Sequence, residues 1–112
     1  MAAMIMSGVI FGFVALIMFG IGFSQLKSRD PVGFYTGVKP PEKEQLSDVA
    51  AWNKKHGIMW IAYGFCIVCS WFCYALIGES ICSVILLSAG VLIPIVLMII
   101  YHHQLIKKYY IK

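Results

Sequence analysis

Three apolar stretches, 2–23, 57–77 and 81–101, contain no Asp, Glu, Lys or Arg, and between and after them lie polar segments. As helices rising about 1.5 Å per residue, each reaches about 30 Å, the thickness of a bilayer's hydrocarbon core. An isolated strand there would leave its backbone groups unpaired in lipid, so the pattern predicts an all-α membrane protein with three transmembrane helices. Gly78-Glu79-Ser80 separates the last two spans and is short enough to force an antiparallel hairpin. The polar interval 24–56 forms a loop, and 102–112 forms a tail. A chain of 112 residues has room for one domain.

Charge changes this picture by giving it a direction. All nine basic residues lie in or beside the loop (Lys27, Arg29, Lys39, Lys43, Lys54, Lys55) or in the tail (Lys107, Lys108, Lys112). The positive-inside rule then predicts the N-terminus outside and both loop and tail in the cytoplasm. The first span precedes its positive charges and shows no clear cleavage pattern, so it reads as a retained anchor. With 61% apolar and 12% charged residues, the composition excludes an ordinary soluble domain. The net charge of +4 flanks apolar spans and forms no groove-sized patch, which argues against nucleic acid as a partner.

Within the loop, Pro31, Pro40 and Pro41 oppose helix, and Gly33 and Gly37 permit turns around Phe34, Tyr35 and Thr36. A short helix is expected after Pro41, with Glu42 and Glu44 at its positive end and Ser47 as a second candidate cap. From Val49, the residues Trp52, His56 and Trp60 recur at spacings of three and four and mark one face, which predicts an amphipathic segment running into the second span. Pro94 should kink the third helix. The tail, with Tyr109, Tyr110 and Ile111 among three lysines, reads as an interfacial anchor.

Small residues supply candidate helix contacts. Gly8 and Gly12 form G-x-x-x-G, read either as an internal contact or as a homodimer seam; Gly90 sits one turn before Pro94. Cys66, Cys69 and Cys73 share one helix face, where a packing seam is favoured over a metal site because ionising thiols in hydrocarbon is costly. Cys82 falls near the depth of Cys73, which leaves a disulfide as an alternative to free thiols. His56, His102 and His103 lie at one membrane level, where facing interfacial water is favoured over forming a small cluster that binds metal or titrates near neutral pH. No ionisable residue sits mid-span, and no H-E-x-x-H, G-x-S-x-G or phosphate-loop motif occurs. The chain is therefore read as non-enzymatic, with no cofactor and no metal.

The segment PVGFYTGVKPPEKEQLSDVAAWNKKHG resembles the loop and following helix start of the SdpI-type family of small bacterial membrane proteins. In that family a G-x-R-T segment precedes W-x-x-x-[N/H]; the matching residues here are Gly33, Phe34, Tyr35 and Thr36, then Trp52, Asn53, His56 and Gly57. Tyr35 stands where the family has arginine, so an ionic contact made by that arginine does not carry over. The resemblance implies a bacterial cytoplasmic membrane protein, and an immunity or sensor-like role exercised by protein–protein contact. Gly33, Phe34, Tyr35, Thr36, Trp52, Asn53 and His56 would then form its cytoplasmic face. The competing readings are an oligomeric channel or transporter component and an accessory subunit of a larger membrane complex, with the bilayer and a membrane protein or a second copy as partners.

Overall fold

In a computed structural model, which describes residues 2–33 and 40–111, three long helices account for three quarters of the chain and no strand occurs among the described residues. They are α1 (Ala2–Lys27), α2 (Val49–Ile77) and α3 (Ile81–Tyr109), and each is long and apolar enough to cross a membrane. This is the architecture of a multi-pass membrane protein. Helices α2 and α3, at 29 residues each, extend about 43 Å. That exceeds a hydrocarbon core of about 30 Å, so their polar ends project beyond it.

Helix boundaries follow local chemistry. The carboxylate of Asp48, not Ser47, caps α2 by accepting from the Ala51 N–H at 3.0 Å. The helix expected after Pro41 is a single 3-10 turn, Lys43–Gln45, and the amphipathic segment is the start of α2 itself. Gly78, with φ of 91°, ends α2 in a conformation that side chains disfavour, and Ser80 opens α3 through a reciprocal capping box with Ser83. The tail is not a free anchor. Helix α3 runs on to Tyr109, and Tyr110 pairs with Leu46 through Ser47 N–H to Tyr109 O (2.8 Å) and Ile111 N–H to Gln45 O (2.7 Å).

Helix α2 is the centre of the bundle. It packs against α1 on one side and α3 on the other, and holds ten buried residues, against three on α1 and four on α3. The predicted face is the inward one, with Trp52, His56 and Trp60 all buried. Most large side chains of α1 and α3 point outward, as lipid-facing helices require.

Close approach of α1 and α2 depends on glycines other than the expected pair. A Cβ on Gly22 would lie 2.7 Å from the Gly57 carbonyl oxygen, and one on Gly57 2.8 Å from that of Gly22. The backbones touch there, and Phe19 covers Gly64 further along. At the far end the Trp71 ring lies over Gly8 and its indole N–H donates to Ser7 Oγ at 3.0 Å, but a Cβ on Gly12 would meet no atom of the described residues within 4 Å. The G-x-x-x-G pair is therefore split, with Gly8 inside the bundle and Gly12 open. Gly90 makes room for the Ser70 hydroxyl between α2 and α3. Cys66, Cys69 and Cys73 do not form an internal seam; they are free and exposed, as is Cys82. Pro94 removes a backbone donor from α3, and the Tyr63 hydroxyl donates to the nearby Val91 carbonyl at 3.1 Å.

Replacing Gly22 or Gly57 with Leu puts carbon against backbone that has no rotamer to yield. Each substitution should lower stability in mild detergent by roughly 1–3 kcal/mol, measured by thermal or denaturant unfolding, and Gly12→Leu should leave the unfolding midpoint of the monomer unchanged.

Candidate functional site

The loop end of the bundle gathers three of the four buried polar side chains among the described residues, Gln25, Asn53 and His56; the fourth, Ser83, belongs to the cap of α3 at the other end. Residues 52, 53, 56 and 57 occupy two successive turns of α2, and the i, i+4 pairs divide between its neighbours. Asn53 and Gly57 turn towards α1 and the loop that follows it, and Trp52 and His56 turn towards α3. Trp52 and His56 are 0% exposed and Asn53 2%.

Asn53 clamps the loop. Its Oδ1 accepts from the Val32 N–H at 3.0 Å, and its Nδ2 donates to the Ser28 carbonyl at 3.1 Å and the Asp30 carbonyl at 2.9 Å. An N–H needs an acceptor and a carbonyl needs a donor, so these partners fix the orientation of the amide. The Trp52 indole N–H donates to the Val32 carbonyl at 2.7 Å, so Val32 is held on both its N–H and its C=O. Gln25, near the end of α1, donates to the Gly33 carbonyl at 3.3 Å. Its Oε1 is buried without a hydrogen-bond partner among the described residues, a cost accepted to hold the loop from a second side. Lys43 and Asp30 pair at 3.0 Å on the surface, where such a pair contributes little.

On the α3 side, His56 Nδ1 lies 2.9 Å from the Trp52 carbonyl and His56 Nε2 lies 2.9 Å from His102 Nδ1. A carbonyl only accepts, so His56 carries its proton on Nδ1 and presents a bare Nε2, and His102 Nδ1–H donates to it. Each assignment forces the next, and in the neutral pair the last lone pair sits on His102 Nε2. The Trp52 ring lies against this pair, with centroids 4.2 Å from His56 and 5.8 Å from His102. Leu46, Leu105 and Tyr109 close an apolar shell around Trp52.

Trp52, Asn53 and His56, expected to form a cytoplasmic face, are buried at the loop end of the bundle, beneath the segment that follows α1. Gly33 belongs to the clamped loop, and Phe34, Tyr35 and Thr36 lie outside the described residues. The expectation that the histidines face interfacial water fails for fully buried His56, which bonds half-buried His102, and His103 is exposed. Among the described residues no group of three metal-ligating side chains converges. Sequence reasoning missed Gln25 and the role of Val32; an uncharged polar residue in the last turn of an apolar helix was the available signal. No protein-family model, curated protein or solved structure matches this chain.

Two outcomes follow from this geometry. Asn53→Ala strands one N–H and two carbonyls at an apolar boundary, and unfolding measurements should register a loss of about 1–3 kcal/mol or more. Acid should also weaken the site. Burial disfavours the charged form of both rings, holding His56 below the ordinary imidazole value and His102 down to about 4, where the positive charges of His56 and His103 disfavour its proton further. The unfolded chain takes up both protons near the ordinary imidazole value of about 6.5. Below that pH the unfolded state binds more protons, so stability falls as pH falls from about 7 towards about 4, where the folded chain takes up the His102 proton, and recovers as it rises. The melting temperature across that range should show this slope, and His102→Gln, which keeps a donor for His56 Nε2, should reduce it.

Proposed function

We propose that this chain is a non-enzymatic module of the bacterial cytoplasmic membrane that works by protein–protein contact, presenting the loop that follows the clamped segment to another membrane protein in an immunity or sensing role. The observation that carries this reading is the clamp on Val32, whose N–H and C=O are both held by α2 side chains, Asn53 and Trp52. The segment 28–33, fixed before binding, loses little conformational freedom on association, which favours recognition over mere connection. The resemblance of the loop and the start of α2 to the SdpI-type pattern supports the same assignment, with the loop in the cytoplasm where the positive-inside rule puts it. An oligomeric channel or transporter component is the second reading, supported by Gly12 and Gly20, where a Cβ would meet nothing among the described residues within 4 Å and room is left for another helix.

Photo-crosslinkers at Glu42 and at Leu76, at opposite ends of the bundle, separate these readings in native membranes. The proposed contact predicts a discrete heterologous adduct from Glu42, lost in Asn53→Ala and absent from Leu76. Adducts that form only between copies of this chain would favour the oligomer, and a Glu42 adduct unaffected by Asn53→Ala would overturn the loop reading.

A further inference from the structure

Between α2 and α3 an open groove of about 570 Å³ runs along the outer surface, away from the clamped loop contacts. Ala62, Cys66, Pro94 and Leu97 are among the residues that line it, and Lys55 and Gln104 lie at one end. Short side chains at positions 62 and 66, opposite the proline of α3, leave a channel where longer ones would close the surface. From Lys55 to Cys66 α2 rises about 16 Å, and from Gln104 to Pro94 α3 covers about 15 Å. Both match half of a hydrocarbon core of about 30 Å. The groove therefore has the depth of one leaflet, apolar along its length and polar at its mouth.

We propose that this groove binds one acyl chain of an anionic phospholipid, with the headgroup phosphate held by Lys55 and Gln104. Burying each methylene of the chain against Ala62, Cys66 and Leu97 replaces contact with disordered neighbouring lipid by contact with a fixed surface. Lys55 supplies the charge that distinguishes an anionic from a zwitterionic headgroup, and no carboxylate lines the groove among the described residues. Gln104 adds an amide donor at the same level. The occupant is a membrane lipid rather than free phosphate, because the apolar channel contributes only when a chain is attached.

Native mass spectrometry of the full chain in mild detergent tests this with phosphatidylglycerol and phosphatidylcholine of identical acyl chains. The expected result is a single bound phosphatidylglycerol with at least a tenfold preference, no competition from glycerol 3-phosphate, and loss of that preference in Lys55→Glu. Ala62→Phe, at an exposed position, should abolish binding of both lipids by filling the channel. Leu97→Trp provides the same obstruction from α3 should the first variant fold poorly. Equal binding of the two lipids, retained preference in Lys55→Glu, competition by glycerol 3-phosphate, or unchanged binding in a folded channel-filling variant would each overturn the proposal.

Discussion

Where a chain leaves an apolar helix and turns back at the edge of a bilayer, its backbone N–H and C=O groups still need partners. The loop after α1 obtains them from two adjacent residues of α2. Asn53 supplies one acceptor and two donors, and Trp52 supplies a donor on its other flank. An asparagine is suited to this because it offers both kinds of group on one short, stiff side chain; an aspartate would have to accept from carbonyls that cannot donate. The clamp then sets the height at which α1 meets α2, and this brings Gly22 against Gly57 one turn further along.

The rest of the loop end is built outward from Trp52. Its indole N–H serves the loop and its carbonyl receives the His56 proton, so a single residue joins the α1 side to the histidine pair on α3. The bridge between Leu46 and Tyr110 folds the tail over the Trp52 shell. Far from this end, Trp71 on Gly8 and Ser7 makes the second α1–α2 lock. Between the two locks the bundle depends on side-chain packing around Ala15, Tyr63 and Ile67. A perturbation at the loop is thus felt first by the helix ends and least by the middle of the bundle.

The three spans, the hairpin turn and the inward face of α2 were legible because hydrophobic length and helical spacing are properties of one segment at a time. Contacts between segments were not. Nothing in the spacing of Gly8 and Gly12 reveals that Trp71 covers the first and leaves the second open, or that Gly22 meets Gly57 from 35 positions away. The cysteine stripe misled for a related reason: in lipid a small, soft side chain loses nothing by facing outward, so a shared face does not identify an interface. The partnership of His56 with His102 was hidden because each alone suits an interfacial position, and only the antiparallel register of α2 and α3 brings their rings within hydrogen-bond distance.

Backbone hydrogen–deuterium exchange at Val32, measured by NMR in detergent micelles or nanodiscs, tests the central claim most directly. The clamp predicts that the Val32 amide, bonded to Asn53 Oδ1, is protected in the wild-type protein as strongly as helical amides near the ends of α2, and that Asn53→Ala abolishes this protection with the helices intact. Exchange of Val32 at the rate of an unstructured peptide in the wild-type protein would contradict the account, because the loop would then have no fixed shape to present.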